Sequence, residues 1–204
     1  MWEELPKRVK LLEQLKGYSF DGFLHTTEFE NFINIIKSEK LCSRENVSGF
    51  IDRADPKVLE QTADSVKNCV RFYYAPKTPT NFRAKYQNPV LLVFNEDLIY
   101  EKGVKFTSGN AAAISKSIIT ENADDAKSFD WNEIFKRGSH YTSIFGNNGI
   151  TNKRNAEFLY PISVSTKKLV KVIFKYLSDK IKAEEILSSY GLNALFEHDD
   201  KYFD

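Results

Sequence analysis

Cysteine is scarce in this sequence, since Cys42 and Cys69 are the only two among 204 residues. Neither lies in a CxxC motif or in a cysteine and histidine cluster, so the sequence indicates neither a disulfide framework nor a zinc site. This cysteine usage is typical of a reducing compartment. We therefore expect a cytoplasmic protein without a metal site.

Long apolar runs are also missing. No stretch approaches the roughly 20 apolar residues that a membrane-spanning helix requires. Residues 1–16 alternate charged with apolar side chains and lack the apolar segment of a secretion signal, so we expect neither a membrane role nor export. With 42% hydrophobic and 14% aromatic residues, the chain can bury one sizeable core. A single domain over residues 1–204 is predicted.

Several common catalytic signatures do not occur. The sequence has no GxGxxG before a helix, no GxxxxGK[ST], no GxSxG and no HExxH. Their absence argues against dinucleotide-binding Rossmann, P-loop, serine-hydrolase and zincin chemistry. Sites for NAD or for a nucleic acid remain as candidates.

The net charge of +1 conceals a local excess of positive charge. Residues 67–86 contain five lysines and arginines, several aromatic residues and no acidic residue, and residues 151–182 are also strongly basic. Phosphate binding depends on such local potential and not on the net charge. A solvated surface is the simpler explanation for either segment.

Hydrophobic periodicity predicts helices near both ends of the chain and several strands between them. The first helix has an apolar stripe at helical spacing, made of Leu5, Val9, Leu12 and Leu15. A second helix is expected after Thr27, its predicted N-cap, and a final helix at about residues 179–189. Strands are predicted at GFLHTT, CVRFYY, VLLVFN, AEFLYPISV and LVKVIFKYL.

The remaining segments predict shorter elements. Residues 43–65 form a long loop with at most a short helix at residues 56–61, and another short helix is expected at residues 130–138. VKFTSGNAAAISK predicts a strand, a tight turn at Gly109 and then a helix. Because the elements are mixed and without βαβ repeats, the fold class is predicted to be α+β around a mainly antiparallel sheet.

Glu157 is the first candidate for chemistry, in the segment KRNAEFLYPISV. It stands at the start of an otherwise apolar strand, directly after a polar loop with glycines. An unpaired buried carboxylate costs several kcal/mol, so such a residue is either exposed at the strand edge or retained for catalysis. From composition alone, an edge glutamate paired with Arg154 is the simpler alternative.

His25 and Thr27 form a second candidate, because a strand end followed by a helix start offers backbone N–H groups and hydroxyls to a polar ligand. A lone histidine is more often structural. FTSGNAAA is a third candidate, in which Gly109 permits close approach of a ligand and Asn110 can hydrogen-bond it. An ordinary strand-to-helix turn has the same composition.

The segment RFYYAPKTPTNF combines aromatic faces with cations. Phe72, Tyr73, Tyr74 and Phe82 could stack on a nicotinamide or a nucleobase, at about 1–3 kcal/mol per base. Core aromatics that alternate along a strand are the competing explanation.

Four segments in chain order resemble the successive motifs of the DarT family of DNA ADP-ribosyltransferases, which are toxins of bacterial toxin–antitoxin pairs. The segments are FLHTTEFENFINIIKSEKL, VRFYYAPKTPTNF, FTSGNAAA and NAEFLYPISV, and the similarity covers about residues 20–175. The PKTPT sequence is more similar to the guanine-modifying branch than to the thymine-modifying one.

The resemblance implies the ADP-ribosyltransferase fold, a split antiparallel sheet with flanking helices around an NAD⁺ cleft. NAD is then a co-substrate and no metal is needed. The implied NAD-binding residues are His25, Thr27, Asn31, Arg71, Tyr73 and Tyr74. Glu157 is the implied catalytic carboxylate. The family's arginine aligns with either Arg53 or Arg71, of which we favour Arg53 for catalysis and Arg71 for phosphate contact.

The implied acceptor is a base in single-stranded DNA, with guanine favoured over thymine. The loop at residues 146–155 matches the substrate-recognising loop, so the candidate substrate-binding residues are Lys77, Asn110, Asn148, Lys153 and Arg154. A macrodomain-containing antitoxin is the expected partner of a monomeric, cytoplasmic toxin. The alternatives are transfer to RNA, protein or a small molecule, and a non-catalytic nucleic-acid-binding module.

Overall fold

The computed structural model describes residues 3–53, 60, 62–76, 78, 86–113, 116–136 and 152–203. The short helix expected at residues 56–61 lies outside these residues except for Glu60. In the ranges that are described, no helix is long and apolar enough to cross a membrane.

The α-helices that the structure describes lie mainly near the two ends of the chain. They are α1 (Glu4–Lys16), α2 (Phe29–Lys37), α3 (Asp64–Lys67), α4 (Ala123–Lys127), α5 (Trp131–Ile134) and α6 (Leu177–Leu187). The strands are β1 (Phe23–Glu28), β2 (Lys40–Cys42), β3 (Cys69–Tyr73), β4 (Pro89–Phe94), β5 (Lys105–Thr107), β6 (Ile119–Thr120), β7 (Glu157–Pro161), β8 (Ser163–Ser165), β9 (Leu169–Phe174) and β10 (Leu195–His198).

Eight of these strands form one sheet in the order β10-β9-β4-β1-β3-β7-β5-β6, and β2 pairs with β8 separately. Every neighbouring pair is antiparallel except β10 and β9, which are parallel. The predicted α+β class with a mainly antiparallel sheet is confirmed.

The large sheet divides between β1 and β3. These two strands pair at Leu24 and Tyr73 alone among the described residues, whereas β1 pairs with β4 over six residues. The sheet therefore consists of two four-stranded halves, β10-β9-β4-β1 and β3-β7-β5-β6. The side chains of the candidate site lie on both sides of this division.

Aromatic side chains join the two halves on the inner face of the sheet. Phe23 of β1 stacks on Phe158 of β7 with ring centroids 3.8 Å apart, and both rings are fully buried. Phe72 of β3 packs edge-to-face on Phe94 of β4. Burial of these rings supplies much of the apolar surface that stabilises the fold.

The buried face of α1 differs from the predicted stripe. Leu12 and Leu15 are buried as expected, but Leu5 and Val9 are exposed. Arg8 is buried in place of Val9, because its guanidinium donates to the Ile99 carbonyl oxygen at 2.8 Å. The carbonyl oxygens of Ile99 and Glu101 thus hold a charged side chain of the helix toward the core.

One further local prediction was wrong: Thr27 is not an N-cap, because β1 continues to Glu28 and α2 begins directly at Phe29. After Gly109, residues 111–112 form a turn and Lys116 belongs to a 3-10 helix, and residues 114–115 of the predicted helix lie outside the described residues. The sequence analysis also missed α4 and β10, which are short and carry few apolar residues.

Candidate active site

Glu157 is the first residue of β7, and it is only 1% exposed. Its Oε2 atom accepts a hydrogen bond from the backbone N–H of Ala111 at 2.7 Å. Its Oε1 atom lies 3.5 Å from a terminal guanidinium nitrogen of Arg71. The backbone N–H of Glu157 donates to Thr107 Oγ1 at 2.7 Å, so main chain and side chain are both fixed.

Burial raises the pKa of the Glu157 carboxyl above its ordinary value, while the charge of Arg71 and the hydrogen bond from Ala111 oppose the increase. Such a carboxylate is a better proton acceptor than an exposed one. The expected edge pairing of Glu157 with Arg154 does not occur, because Arg154 binds Glu133 instead.

The turn after β5 aims the Ala111 N–H at the carboxylate. Asn152 crosses this turn, where its Oδ1 atom accepts from the Asn110 N–H at 3.1 Å and its Nδ2 atom donates to the Lys116 carbonyl at 3.0 Å. A Cβ atom on Gly109 would lie 2.3 Å from Asn152 Nδ2. The glycine therefore leaves room for the Asn152 side chain, and its proposed role in the approach of a ligand stays a prediction.

The two predicted NAD-binding tyrosines, Tyr73 at the end of β3 and Tyr74 directly after it, point to opposite sides of the sheet. Tyr73 lies directly opposite Glu157 in the antiparallel register and shares its face of the sheet. Tyr74 points into the core, where it packs edge-to-face on Trp131 and its hydroxyl donates to the Glu157 carbonyl oxygen at 3.2 Å. Tyr74 thus supports β7 from behind the carboxylate.

His25 lies on β1 immediately after the single pair with β3. Its Nδ1 atom is 3.0 Å from the Arg71 carbonyl oxygen, and because a carbonyl only accepts, Nδ1 carries the proton. Burial lowers the pKa of His25, with a smaller opposing effect of this hydrogen bond. The ring is therefore neutral at physiological pH, and Nε2 is an acceptor.

Thr27 and Asn31 connect β1 and α2 to the segment before the undescribed residues 54–59. The Asn31 amide exchanges two hydrogen bonds with the backbone of Ile51, accepting at 2.8 Å and donating at 2.9 Å. Its amide nitrogen is also 3.2 Å from Thr27 Oγ1. Two predicted NAD-binding residues thus fix the backbone that leads to Arg53.

Arg53 binds a carboxylate that the sequence analysis did not identify. Its Nε atom donates to Glu28 Oε1 at 2.6 Å, and Glu28 is only 1% exposed. In the same structure Arg71 contacts Glu157 and lies 3.3 Å from Thr62 Oγ1. The two candidate arginines therefore occupy different ion pairs, and Arg71 is the one beside the candidate catalytic carboxylate.

The candidate substrate-binding residues are distributed unevenly. Lys77 and Asn148 lie outside the described residues. Asn110 belongs to the turn beside Glu157. Lys153 and Arg154 bind Asp130 and Glu133 at the two ends of α5, at 2.8 Å each, and the Arg154 pair is mostly buried.

No group of three or more histidine, cysteine, aspartate or glutamate side chains within the described ranges could bind a metal ion. The described site instead offers a buried carboxylate, an adjacent guanidinium and a neutral imidazole. A carboxylate can stabilise a cationic centre and accept a proton, and an arginine suits a phosphate.

The sequence matches a known protein family. Residues 24–204 match the family profile described as ssDNA thymidine ADP-ribosyltransferase, DarT. Among curated proteins, none matches the sequence significantly.

Solved structures with a similar fold include the DarT of Thermus sp. 2.9 in complex with ADP-ribosylated single-stranded DNA. That match has a TM-score of 0.77 at 15% identity and covers 89% of this chain and 95% of the other. The same protein in complex with NAD⁺ matches with a TM-score of 0.71 at 14% identity, covering 89% and 96%. Thermosipho africanus DarTG with ADP-ribose has a TM-score of 0.69 at 14% identity, covering 89% of this chain and 50% of that one.

Proposed function

Because the chain belongs to the DarT family of NAD-dependent single-stranded-DNA ADP-ribosyltransferases, we propose that Glu157 catalyses transfer of ADP-ribose from NAD⁺ to a DNA base. The observation that carries this proposal is the buried Glu157 carboxylate, fixed by the Ala111 N–H and adjacent to Arg71. A carboxylate so buried is unfavourable for stability, which is typical of a group retained for chemistry.

The reaction breaks the bond between nicotinamide and the ribose C1″ atom, and nicotinamide leaves with the electron pair. The ribose then resembles an oxocarbenium ion, which the Glu157 carboxylate stabilises by its fixed negative charge. A nitrogen of the base forms the new bond to C1″. Its proton passes to Glu157, whose burial-raised pKa favours this general-base role.

The two arginines have separate roles in this proposal. Arg53, which we favour as the catalytic one of the two arginines that align with the family's arginine, orients NAD⁺ for cleavage by binding its pyrophosphate. Arg71 contacts phosphate and, through its proximity to Glu157, limits the increase in the carboxyl pKa. The guanidinium of either residue suits a pyrophosphate, because its donors match two phosphate oxygens.

The remaining NAD-binding residues follow from their positions around the divided sheet. His25 offers a neutral acceptor at Nε2, and Tyr73 shares the face of Glu157. Thr27 and Asn31 act on the NAD site through the backbone at Ile51. Tyr74 acts through the Glu157 carbonyl.

For the acceptor, we favour guanine over thymine because of the PKTPT sequence, although the matching family profile is described by thymidine. Lys77, Asn110, Asn148, Lys153 and Arg154 are the proposed contacts to the DNA. A base must be unpaired or turned out of the helix before its edge can be attacked, which accounts for a single-stranded substrate.

A cellular role as the toxin of a toxin–antitoxin pair is also proposed, with a cytoplasmic monomer controlled by a macrodomain-containing antitoxin. The structure of Thermosipho africanus DarTG is a complex with ADP-ribose, and the match covers 50% of the DarTG chain. The other half of DarTG supports the idea of a partner module. Expression of the active enzyme without such a partner should be poorly tolerated. Harmless expression of active enzyme would contradict the toxin role.

Mass spectrometry of defined single-stranded oligonucleotides after incubation with NAD⁺ tests donor, acceptor and base together. The oligonucleotides to be compared contain either a single guanine and no thymine, or a single thymine and no guanine. We expect one ADP-ribose to be added to each oligonucleotide that is modified. A modified guanine supports our preference, and a modified thymine contradicts it. Unmodified DNA beside modified RNA or protein would overturn the acceptor.

Glu157→Gln is the matching loss-of-function variant, because the amide neither carries the charge nor accepts the proton. We expect its transfer rate to fall by about 10²–10³ while the fold is kept. Glu121→Gln is the control, since the Glu121 side chain is 62% exposed. An active Glu157→Gln variant would overturn the mechanism, and DNA binding without any turnover by the wild type would favour the non-catalytic alternative.

A further inference from the structure

Glu28 is a buried carboxylate to which neither the motifs nor the proposed reaction assign a role. We propose that Glu28 is a positioning residue, which fixes the Arg53 guanidinium relative to the NAD-binding strand β1. This inference rests on the proposed role of Arg53. It concerns a residue at the junction of β1 and α2, two positions before Glu30 on the exposed surface of α2.

Three separate donors bind the Glu28 carboxylate. Oε1 accepts from Arg53 Nε at 2.6 Å and from the Gln87 backbone N–H at 3.1 Å, and Oε2 accepts from the Asn88 backbone N–H at 3.0 Å. Arg53 and the two amides are distant from Glu28 in the chain. The carboxylate therefore connects the β1–α2 junction both to Arg53 and to the backbone that leads into β4.

The hydrogen bonds that Glu28 accepts favour its ionised form. Burial alone would raise the pKa of this carboxyl, but the hydrogen bonds from Asn88, Gln87 and Arg53 outweigh burial and lower it. A charge buried in this way makes the partner geometry specific, since a displaced Arg53 would leave an uncompensated carboxylate.

A second attachment restricts Arg53 further. Asn31, one helical turn after Glu28, binds the Ile51 backbone through two hydrogen bonds. Residues 51–53 are thus attached at both their start and their end to the β1–α2 junction. Because His25 and Thr27 precede Glu28 on the same strand, this attachment aligns Arg53 with the proposed NAD-binding residues.

The contact leaves Arg53 accessible to a ligand. Glu28 binds the Nε atom, and 29% of the Arg53 side chain remains exposed. A guanidinium that is fixed at one nitrogen loses less rotational freedom when it binds a phosphate. Positioning by Glu28 should therefore act mainly on kcat, through the orientation of Arg53.

A double-mutant cycle tests the proposal. The variants are Glu28→Gln, Arg53→Ala and the double variant, with Glu30→Gln as the matched control. We expect Glu28→Gln to lower kcat about tenfold to a hundredfold with a smaller change in the KM for NAD⁺. In the Arg53→Ala background the same substitution should have no further effect on kcat.

Glu28→Asp is the second variant, because it keeps the charge and can fold where the amide does not. Its shorter side chain should give an intermediate kcat. A fully active Glu28→Gln variant would overturn the inference, as would an equal loss of kcat in the wild-type and Arg53→Ala backgrounds, which indicates a merely structural role.

The failure of the proposed function has a different signature. If the wild type modifies no acceptor, or if Arg53→Ala is fully active, the proposed function or the role of Arg53 fails independently of Glu28. Amide hydrogen exchange then decides whether Glu28 fixes the segment. Faster exchange at residues 51–53 in Glu28→Gln but not in Glu30→Gln supports positioning, and unchanged exchange contradicts it.

Discussion

The backbone N–H of Ala111 donates to Glu157 Oε2 at 2.7 Å, which connects the turn after β5 to the candidate catalytic carboxylate. The turn takes this shape because Gly109 leaves room for the Asn152 amide. Gly109 therefore helps to determine the position of the Ala111 N–H, and with it the orientation of the Glu157 carboxylate.

Gly109→Ala should displace Asn152, since its Cβ atom would lie 2.3 Å from Asn152 Nδ2. We expect a loss of about 1–3 kcal/mol in the free energy of unfolding and a lower transfer rate, because the Ala111 N–H moves from Glu157. Denaturant unfolding and kinetics measure both effects. Gly17→Ala is the control, at φ −62, and an Asn152→Ala background should relieve the clash in part, since Ser117 Oγ would still lie 2.8 Å from the added Cβ atom. Unchanged activity in Gly109→Ala would contradict this account.

Glu157→Gln should stabilise the protein at neutral pH. The folded-state pKa of Glu157 is raised above its ordinary value by burial, so the stability associated with this group is present in acid and is lost as the pH rises through that pKa. The amide does not ionise and avoids this loss. Melting temperatures should therefore be higher for the variant at neutral pH and similar at about pH 4. A variant that is less stable than the wild type at neutral pH would show that the ionised Glu157 carboxylate does not destabilise the folded protein.

Arg71→Gln should move the acid limb of the pH–rate profile to higher pH. The Arg71 charge opposes the increase in the Glu157 pKa, so its removal raises that pKa further and protonates the carboxylate over a wider range. Arg53→Gln is the matched variant, because Arg53 pairs with Glu28. It should lower the rate without moving the limb. The reverse pattern would exchange the roles of the two arginines.

Glu133→Gln should weaken transfer to DNA more than turnover of NAD⁺. Glu133 binds Arg154 of the proposed acceptor loop at 2.8 Å, and it also binds Lys136, which precedes that loop in the chain, at 3.5 Å. We expect about a tenfold increase in the KM for the oligonucleotide, equivalent to roughly 1.4 kcal/mol. Nicotinamide release without DNA should be unchanged. Glu184→Gln, in an exposed pair with Lys180, is the control, and a similar effect there would indicate general electrostatics.

Local patterns predicted those parts of the fold that depend on neighbouring residues. The apolar run of β4 and the β-rich CVRFYY segment predicted their strands, and the four ordered motifs are the basis of the role proposed for Glu157. The alternation of side chains along β3 also contained the difference between Tyr73 and Tyr74, since only one of two successive residues can face the site.

Glu28 could not be found in this way. Its partners are distant in sequence: the pairing of β1 with β4 brings Gln87 and Asn88 to Glu28, and the attachment of Ile51 to Asn31 brings Arg53 there. A glutamate before a helix is common and exposed in most proteins. Gly109 was identified as a turn residue, but its contact with Asn152 was not. The two residues are distant in sequence, and the pairing of β5 with β7 brings them together.

The division of the sheet at Leu24 and Tyr73 has a mechanical consequence. One half carries His25, and with it the Glu28 and Arg53 pair, whereas the other half carries Arg71 and Glu157. Besides the backbone pair between β1 and β3, the His25 contact to Arg71 and the buried aromatic rings hold the halves together. A dinucleotide that touches both halves would add a further connection between them, so that part of its binding energy would stabilise the halves against separation.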